Sequence, residues 1–351
     1  MEDQNPQHQR RIRYNGTHPK SFKEKYKELQ PDMYAKDVAK IMEQGKTPAG
    51  MHRSICVNEI MDILNIEPGQ VGMDATLGYG GHSLEILKRL QPNGHLFATD
   101  VDPIELPRTQ ERLNALGYGD DVLTIKKMNF ADIDKVVSES GIFDFVLADL
   151  GVSSMQIDNP ERGFSFKIDG PLDLRLNPTK GKSAAALLKS ITQDKLENIL
   201  LEHSDEPNAF PIAKGIKSKI SSGNIIATTK QLQETIAEIL ESLPNRYAKE
   251  DIKKTCQRCF QAIRIEVNNE FGVLNEFLDK LPFALKCGGR VAILTFHSGE
   301  DRRVKKSFQE LFRLGIYSEV APSPLRPSAE ECNNNPRAKS AKLRWAIKGN
   351  N

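Results

Sequence analysis

The sequence predicts an α/β fold in which a parallel sheet covered by helices is interrupted by an all-helical insertion. Three observations carry this. Between residues 71 and 149, short apolar strand-like runs alternate with stretches of helical periodicity. From about 157 to 262 that alternation stops, and Gly/Pro-rich loops lead only into helical stretches. At 289–296 a strand-like run, Gly-Arg-Val-Ala-Ile-Leu-Thr-Phe, resumes the first pattern. Alternating strands and helices require parallel pairing with crossover helices, so the two flanks form one sheet.

Element by element, Ile60, Met61, Ile63 and Leu64 sit at helical spacing, and Pro68-Gly69 stops them. Strands follow at 71–76, 95–100, 122–128 and 143–149, with helices at 83–90 and 104–116 between them. The insertion carries helices at 183–202, 209–221 and 229–242, and a long helix at 256–285 leads back to the strand at 289–296. Strands at 317–320 and 342–347 close the sheet. The organisation expected is therefore a polar extension (1–50), a sheet domain in two pieces (51–156 and 263–351) and a helical insertion domain (157–262).

At about 150 residues per domain, 351 residues allow two. Lys and Arg total 49 against 47 Asp and Glu, a net charge of +2, so general coating of nucleic acid is not expected. Local basic clusters are present instead: Arg10 to Lys27, Arg302 to Lys306, and Arg337 to Lys348. They suit contact with a polyanion at defined places, or are ordinary solvated faces. No run of about 18 apolar residues is present, so no membrane partner is expected. The first thirty residues lack the apolar core of a secretory signal, and five cysteines do not make a disulfide framework, which together suggest a reducing cytoplasm.

The strongest local signal is Asp74-Ala-Thr-Leu-Gly-Tyr-Gly-Gly-His-Ser83, a strand running into a glycine turn and a helix start. Missing Cβ atoms let a ligand approach the backbone, and the helix N-terminus offers free N–H groups. Asp100 ends the next strand, placed to accept hydrogen bonds from both hydroxyls of an adenosine ribose. Ser83 stands where a dinucleotide fingerprint has Gly or Ala. Asp74 and Asp149 at the strand ends would repel a pyrophosphate but complement the ammonium and sulfonium of S-adenosyl-L-methionine. That cofactor is favoured over a nicotinamide one. Phe130, after the third strand, is placed to pack on a purine or to fill the core.

Six motifs then occur in order. They are the Asp74–Ser83 turn, Asp149-Leu-Gly-Val-Ser-Ser154, Glu161-Arg-Gly-Phe-Ser-Phe166, Asp169-Gly-Pro-Leu-Asp-Leu-Arg175, Phe260-Gln-Ala-Ile-Arg-Ile265 and Phe296-His-Ser298. Over residues 51–348 the chain resembles the ribosomal RNA small subunit methyltransferase H family, also called MraW-like 16S rRNA cytosine-N4 methyltransferases. The resemblance implies a class I, Rossmann-like methyltransferase sheet, S-adenosyl-L-methionine as cofactor, and methylation of cytidine N4 in the decoding region of small-subunit rRNA. It implies cofactor contacts at Gly80, Gly81, His82, Asp100, Phe130, Asp149 and Gln156. It also implies a helical insertion for recognising the rRNA or the assembled small ribosomal subunit. The chain departs from the family's usual pattern at Tyr79, at His203-Ser-Asp-Glu-Pro207, at Lys254-Thr-Cys-Gln-Arg258 and at Gly299, where a Leu is usual. Several departures fall toward the substrate side, so a different RNA cytidine, or a catalytically silent RNA-binding assembly factor, stays open.

Cytosine N4 is a poor nucleophile because its lone pair is delocalised into the ring. A carboxylate at Asp149 can localise that pair and take the proton, or Asp149 serves the cofactor alone. Phe164, Phe166 and Arg175 lie where unpaired bases would stack and phosphates be steered, with Arg162 and Lys167 beside them. Core packing of the two Phe is the alternative. His297 and Ser298, just past the fifth strand, either contact the target base or stabilise their loop. Cys256 and Cys259 fall at helical spacing with Phe260 and Ile263 and read as an apolar face. His297 with Glu300 and Asp301 is too thin a ligand set for a hard cation, and no metal is expected.

Overall fold

The structure, a computed structural model, describes residues 54–91 and 93–350. The polar extension and its basic cluster, Arg10 to Lys27, lie outside the described residues. Helix α1 (Val57–Leu64) precedes β1 (Val71–Asp74), α2 (Gly81–Leu90), β2 (His95–Asp100), α3 (Glu105–Ala115), β3 (Leu123–Lys127), α4 (Ile133–Ser140) and β4 (Phe143–Asp149). Six helices follow: α5 (Ser154–Asp158), α6 (Ala184–Ser190), α7 (Gln193–Ser204), α8 (Ala209–Ser221), α9 (Thr229–Glu241) and α10 (Lys249–Asn268). The chain then runs through α11 (Glu270–Ala284), β5 (Leu285–Thr295), α12 (Ser298–Arg313), β6 (Tyr317–Val320), α13 (Ala329–Asn334) and β7 (Lys342–Lys348).

The strands form a seven-stranded sheet in the order β3-β2-β1-β4-β5-β7-β6. All neighbours are parallel except β7, which runs antiparallel to both β5 and β6. Strand order reverses between β1 and β4, so the carboxyl ends of β1, β2 and β4 open on one crevice, the usual place for a ligand in such sheets. Alternation along the strands builds a core on each face. In β5, Val291 and Ile293 join the cluster made with α4, α11 and α12, while Ala292 and Leu294 join the one made with α1 and α2. A third cluster, from Leu172 to Ile263, is built almost wholly from α6 to α10.

Where observed elements differ from the sequence pattern, local backbone chemistry explains it. The helix expected at 183–202 is two helices, because Thr192 caps α7 by accepting from the Lys195 amide at 3.3 Å. The helix expected at 256–285 begins at Lys249 and breaks at Asn269, whose φ of 49° is left-handed. Helices α4 and α13 have no counterpart in the pattern. In α4 only Ile133 and Val136 are buried, and in α13 no residue is, so neither shows a periodic stripe.

Gly72 illustrates the tightness of the central pair. A Cβ there would fall 2.0 Å from Cζ of Phe145, whose ring lies across the strand. Gly72→Ala is expected to cost at least about 1–3 kcal/mol through overpacking, read as a lower denaturant midpoint. Adding Phe145→Leu should recover part of that loss; a double variant no better than the single one would place the strain elsewhere.

Candidate functional site at the carboxyl edge of the sheet

The turn after β1 is shaped by Gly80, which caps α2 with φ 76° and whose added Cβ would sit 2.9 Å from Thr109 Cγ2. Helix α3 clamps the turn from the other side. Thr109 donates its hydroxyl to the Gly78 carbonyl at 2.7 Å, and Arg112 donates to the Tyr79 carbonyl while its guanidinium lies 3.4 Å over the Tyr79 ring. Gly80 and Gly81 therefore present backbone at the crevice with little freedom to move.

Three aspartates end the adjoining strands and are handled differently. Asp74 is buried and turned inward, accepting from the Ser83 hydroxyl at 2.6 Å and the Thr76 amide at 3.0 Å. Its charge bears on the crevice only at a distance, and Ser83 is spent on it. Asp100 accepts the Gly78 amide on Oδ2 and the Asp102 amide on Oδ1, both at 2.8 Å. Each oxygen keeps a lone pair for a further donor. Burial pushes the Asp100 carboxyl up to about 6, against the lowering effect of those amides. Asp149 donates its own amide to Thr76 Oγ1 at 2.6 Å and leaves its carboxylate partly exposed.

His82 completes the rim. Its Nε2 lies 3.0 Å from the Ile55 carbonyl and its Nδ1 3.4 Å from Asp149 Oδ2. Burial works against a charged ring, but Asp149 outweighs it and holds the His82 pKa above its usual value. Both nitrogens face acceptors, which is the arrangement of an imidazolium donating twice.

Behind this rim lies a buried network. Asp102 Oδ2 accepts from Gln156 Nε2 and from Arg162 Nη1, each at 2.7 Å, while Oδ1 accepts the Ile104 amide at 2.9 Å. Gln156 also accepts the Ser153 amide at 2.8 Å, so its amide group is bonded inside the protein at both ends. Arg162 Nη2 donates to the carbonyls of Arg175 at 3.2 Å and Leu176 at 2.8 Å. From its sequence neighbours Arg162 is expected to help steer phosphates. The structure corrects this: Arg162 is 4% exposed and serves a structural ion pair.

Of the residues expected to hold the cofactor, Gly80, Gly81, His82, Asp100 and Asp149 meet around one crevice. Phe130 starts the turn after β3, edge-on to Phe277 at 5.1 Å and half-buried. The residues expected to meet substrate are held in several different contacts. Phe164 and Phe166 pack, half-buried, on the insertion core, Phe166 at 5.1 Å from Phe260. Arg175 is held by Asp173, with Nη2 at 2.6 Å from Oδ2. His297 is largely buried with Nε2 3.2 Å from Glu300 Oε1, outside hydrogen-bonding geometry. Ser298 is exposed, 3.4 Å from Asp205 Oδ2. Cys256 and Cys259 are buried in the insertion core, and burial pushes the Cys256 thiol up to about 11. The C-terminal basic cluster is also partly structural. Arg337 pairs with Asp158 at 2.7 Å, and Arg344 and Lys342 pair with Asp301 at 2.6 and 2.9 Å. Asp102 was missed because its partner lies 60 residues away, and no spacing rule signals such a pair.

The residues fit an adenosine-bearing cation. Asp100 offers two free acceptor positions, the glycine turn offers bare backbone, and among the described residues the cation paired with these three aspartates is the His82 imidazolium on Asp149. A sheet of this order, with one antiparallel strand between β5 and β6, is that of the class I methyltransferases, whose methyl donor is S-adenosyl-L-methionine. The chain belongs to the MraW methylase family, whose model matches residues 49–349. It is 67% identical over 348 residues to "Ribosomal RNA small subunit methyltransferase H 2" of Alkaliphilus metalliredigens, covering 99% of this chain and 100% of that one. It is 64% identical to "Ribosomal RNA small subunit methyltransferase H 1" of Lachnoclostridium phytofermentans, covering 99% and 95%. Among solved structures, a putative rRNA methylase from Clostridium thermocellum matches at 12% identity, covering 84% of this chain and 98% of that one, with a TM-score of 0.41. No helix among the described residues is long and apolar enough to cross a membrane.

Removing one member of the buried pair should be costly. Arg162→Leu leaves Asp102 uncompensated and is expected to lose about 3–5 kcal/mol in denaturant unfolding. Arg162→Leu with Asp102→Asn should regain part of it, since no charge is then stranded. An unchanged midpoint in the single variant would show that water reaches Asp102.

Proposed function

We propose that this protein transfers the methyl group of S-adenosyl-L-methionine to N4 of a cytidine in the decoding region of small-subunit rRNA. The helical segment 157–262 presents the RNA, and the work is done in the cytoplasm, where ribosomal subunits assemble. The observation that carries the reading is Asp149, a carboxylate partly open to the crevice at the end of β4 and steadied by His82. The family and the names of two relatives support the acceptor class.

In this reading Asp100 takes the ribose hydroxyls, the turn at Gly80 and Gly81 lies against the donor, and Phe130 flanks the adenine. His82 acts by orienting the Asp149 carboxylate. Gln156 acts through Asp102, setting the backbone from which Asp100 extends. S-Adenosyl-L-methionine supplies an electrophilic methyl group whose leaving sulfur departs neutral. The protein's share is then alignment, worth several orders of magnitude when the reacting atoms are held in line. Asp149 accepts a hydrogen bond from the N4 amino group, drawing its lone pair out of the ring, and receives the proton as the N–C bond forms. His297 and Ser298 border the target base, and Phe164, Phe166 and Arg175 bear on neighbouring nucleotides.

Asp149→Asn is expected to lower kcat, measured at saturating donor, by about 10²–10⁴. Unchanged turnover would remove Asp149 from the chemistry. Donor affinity should fall as pH drops through about 6, because the hydroxyls donate to the ionised Asp100 carboxylate and protonation removes that acceptor. Calorimetry should show a slope approaching roughly tenfold per pH unit below that point, flattened in Asp100→Asn. Mass mapping of small-subunit rRNA from cells with and without the protein tests the acceptor. Loss of one N4-methylcytidine supports the proposal, a change at another cytidine moves the target, and no change leaves an assembly factor.

A further inference from the structure

Past the end of β5 lies a group of basic and aromatic side chains of which the mechanism above uses only His297. Phe296 crosses over Gly151, two residues beyond Asp149, so α12 starts beside the rim of the crevice. One turn into α12 the guanidinium of Arg303 lies flat on Phe271 of α11, 3.5 Å from the ring centroid. Its Nη1 donates to the Gly299 carbonyl at 3.0 Å. Among the described residues it has no ion-pair partner. Neighbouring Arg302 takes Asp205 at 3.1 Å, and Glu202 acts on Arg303 only at longer range. Burial and the Arg302 charge pull the Arg303 pKa below the usual guanidinium value, as for a cation lacking a close counter-charge.

Two imidazoles flank the same ring. His203, at the end of α7, meets Phe271 edge-on at 5.2 Å, with Nδ1 3.3 Å from the Ala262 carbonyl. His297 lies 5.7 Å from Phe271, and its side chain is 9% exposed, with Nε2 3.2 Å from Glu300 Oε1 but, among the described residues, neither ring nitrogen in hydrogen-bonding geometry. Phe271 fits here because residue 299 is glycine, where a Cβ would fall 2.6 Å from Phe271 Cζ. His203 and Gly299 thus converge on one ring. The site spans the insertion, through α7, and the sheet domain, through α11 and α12.

We propose that Arg303, held flat on Phe271 and flanked by His203, binds a phosphodiester of the RNA substrate. A guanidinium carries five N–H donors in one plane and matches phosphate oxygens as a fork. Stacking immobilises that plane and leaves the in-plane donors available, with one spent on Gly299. The site would fix one phosphate against both parts of the protein at once, and so set how far the target base reaches toward Asp149. This rests on the RNA-methyltransferase reading and adds a residue set that reading does not contain.

The test is fluorescence polarisation of a labelled RNA stem-loop with a loop cytidine, titrated with the full chain from about 50 to about 300 mM KCl. Arg303→Gln should weaken binding roughly tenfold at the lower salt and reduce the slope of log K against log salt by about 1. Arg303→Lys, which keeps the charge without the planar fork, should restore the slope but only part of the affinity. The affinity for S-adenosyl-L-methionine should stay unchanged in both, which also reports an intact fold. Wild-type RNA binding with the same salt slope in both variants overturns the phosphate site alone. Absence of any salt-dependent RNA binding by the wild type overturns the RNA-substrate reading and the site with it.

Discussion

Three carboxylates ending three neighbouring parallel strands are the constraint around which this protein is arranged. Like charges in a low-dielectric edge repel, and each acid escapes by a different route. Asp74 turns inward to Ser83 and Thr76. Asp100 spreads its charge over two backbone amides and still has its pKa raised by burial. Asp149 keeps a histidine beside it whose protonated form it favours. The negative field left at the crevice suits a donor that carries positive charge, and it opposes a phosphorylated one.

The same edge must also be joined to the helical segment that follows β4, and the Asp102–Arg162 pair does this with both partners buried. A buried pair contributes little net stability compared with apolar packing. Its value lies in geometry. Arg162 reads the carbonyls of Arg175 and Leu176, and Asn268 in turn bonds the Leu176 amide and the Leu174 carbonyl. The backbone near Asp100 and the first loop of the insertion are thereby set by one hydrogen-bonded chain.

Polar side chains that look free in sequence are often committed in three dimensions. Gln156 is held at both ends, Arg175 is chelated by Asp173, and three cations of the C-terminal cluster answer acids at positions 158 and 301. Arg303 is the contrasting case, since an aromatic face fixes it while among the described residues no carboxylate pairs with it. The difference between a structural and an available cation is a matter of partners, and partners come from tertiary contacts.

Periodicity was enough to read β2, β4 and β6 at their observed bounds, because a two-residue alternation or a short apolar run is a property of the segment alone. The placement of the glycine turn and of the acids at strand ends was legible for the same reason: it follows from position in a βα unit. The antiparallel insertion of β7 between β5 and β6, the break at Asn269 and the meeting of His203, Phe271 and Arg303 were not. Each depends on which distant segments share space, and that is decided when apolar faces pack and buried charges find opposite ones. One-dimensional spacing carries no record of it.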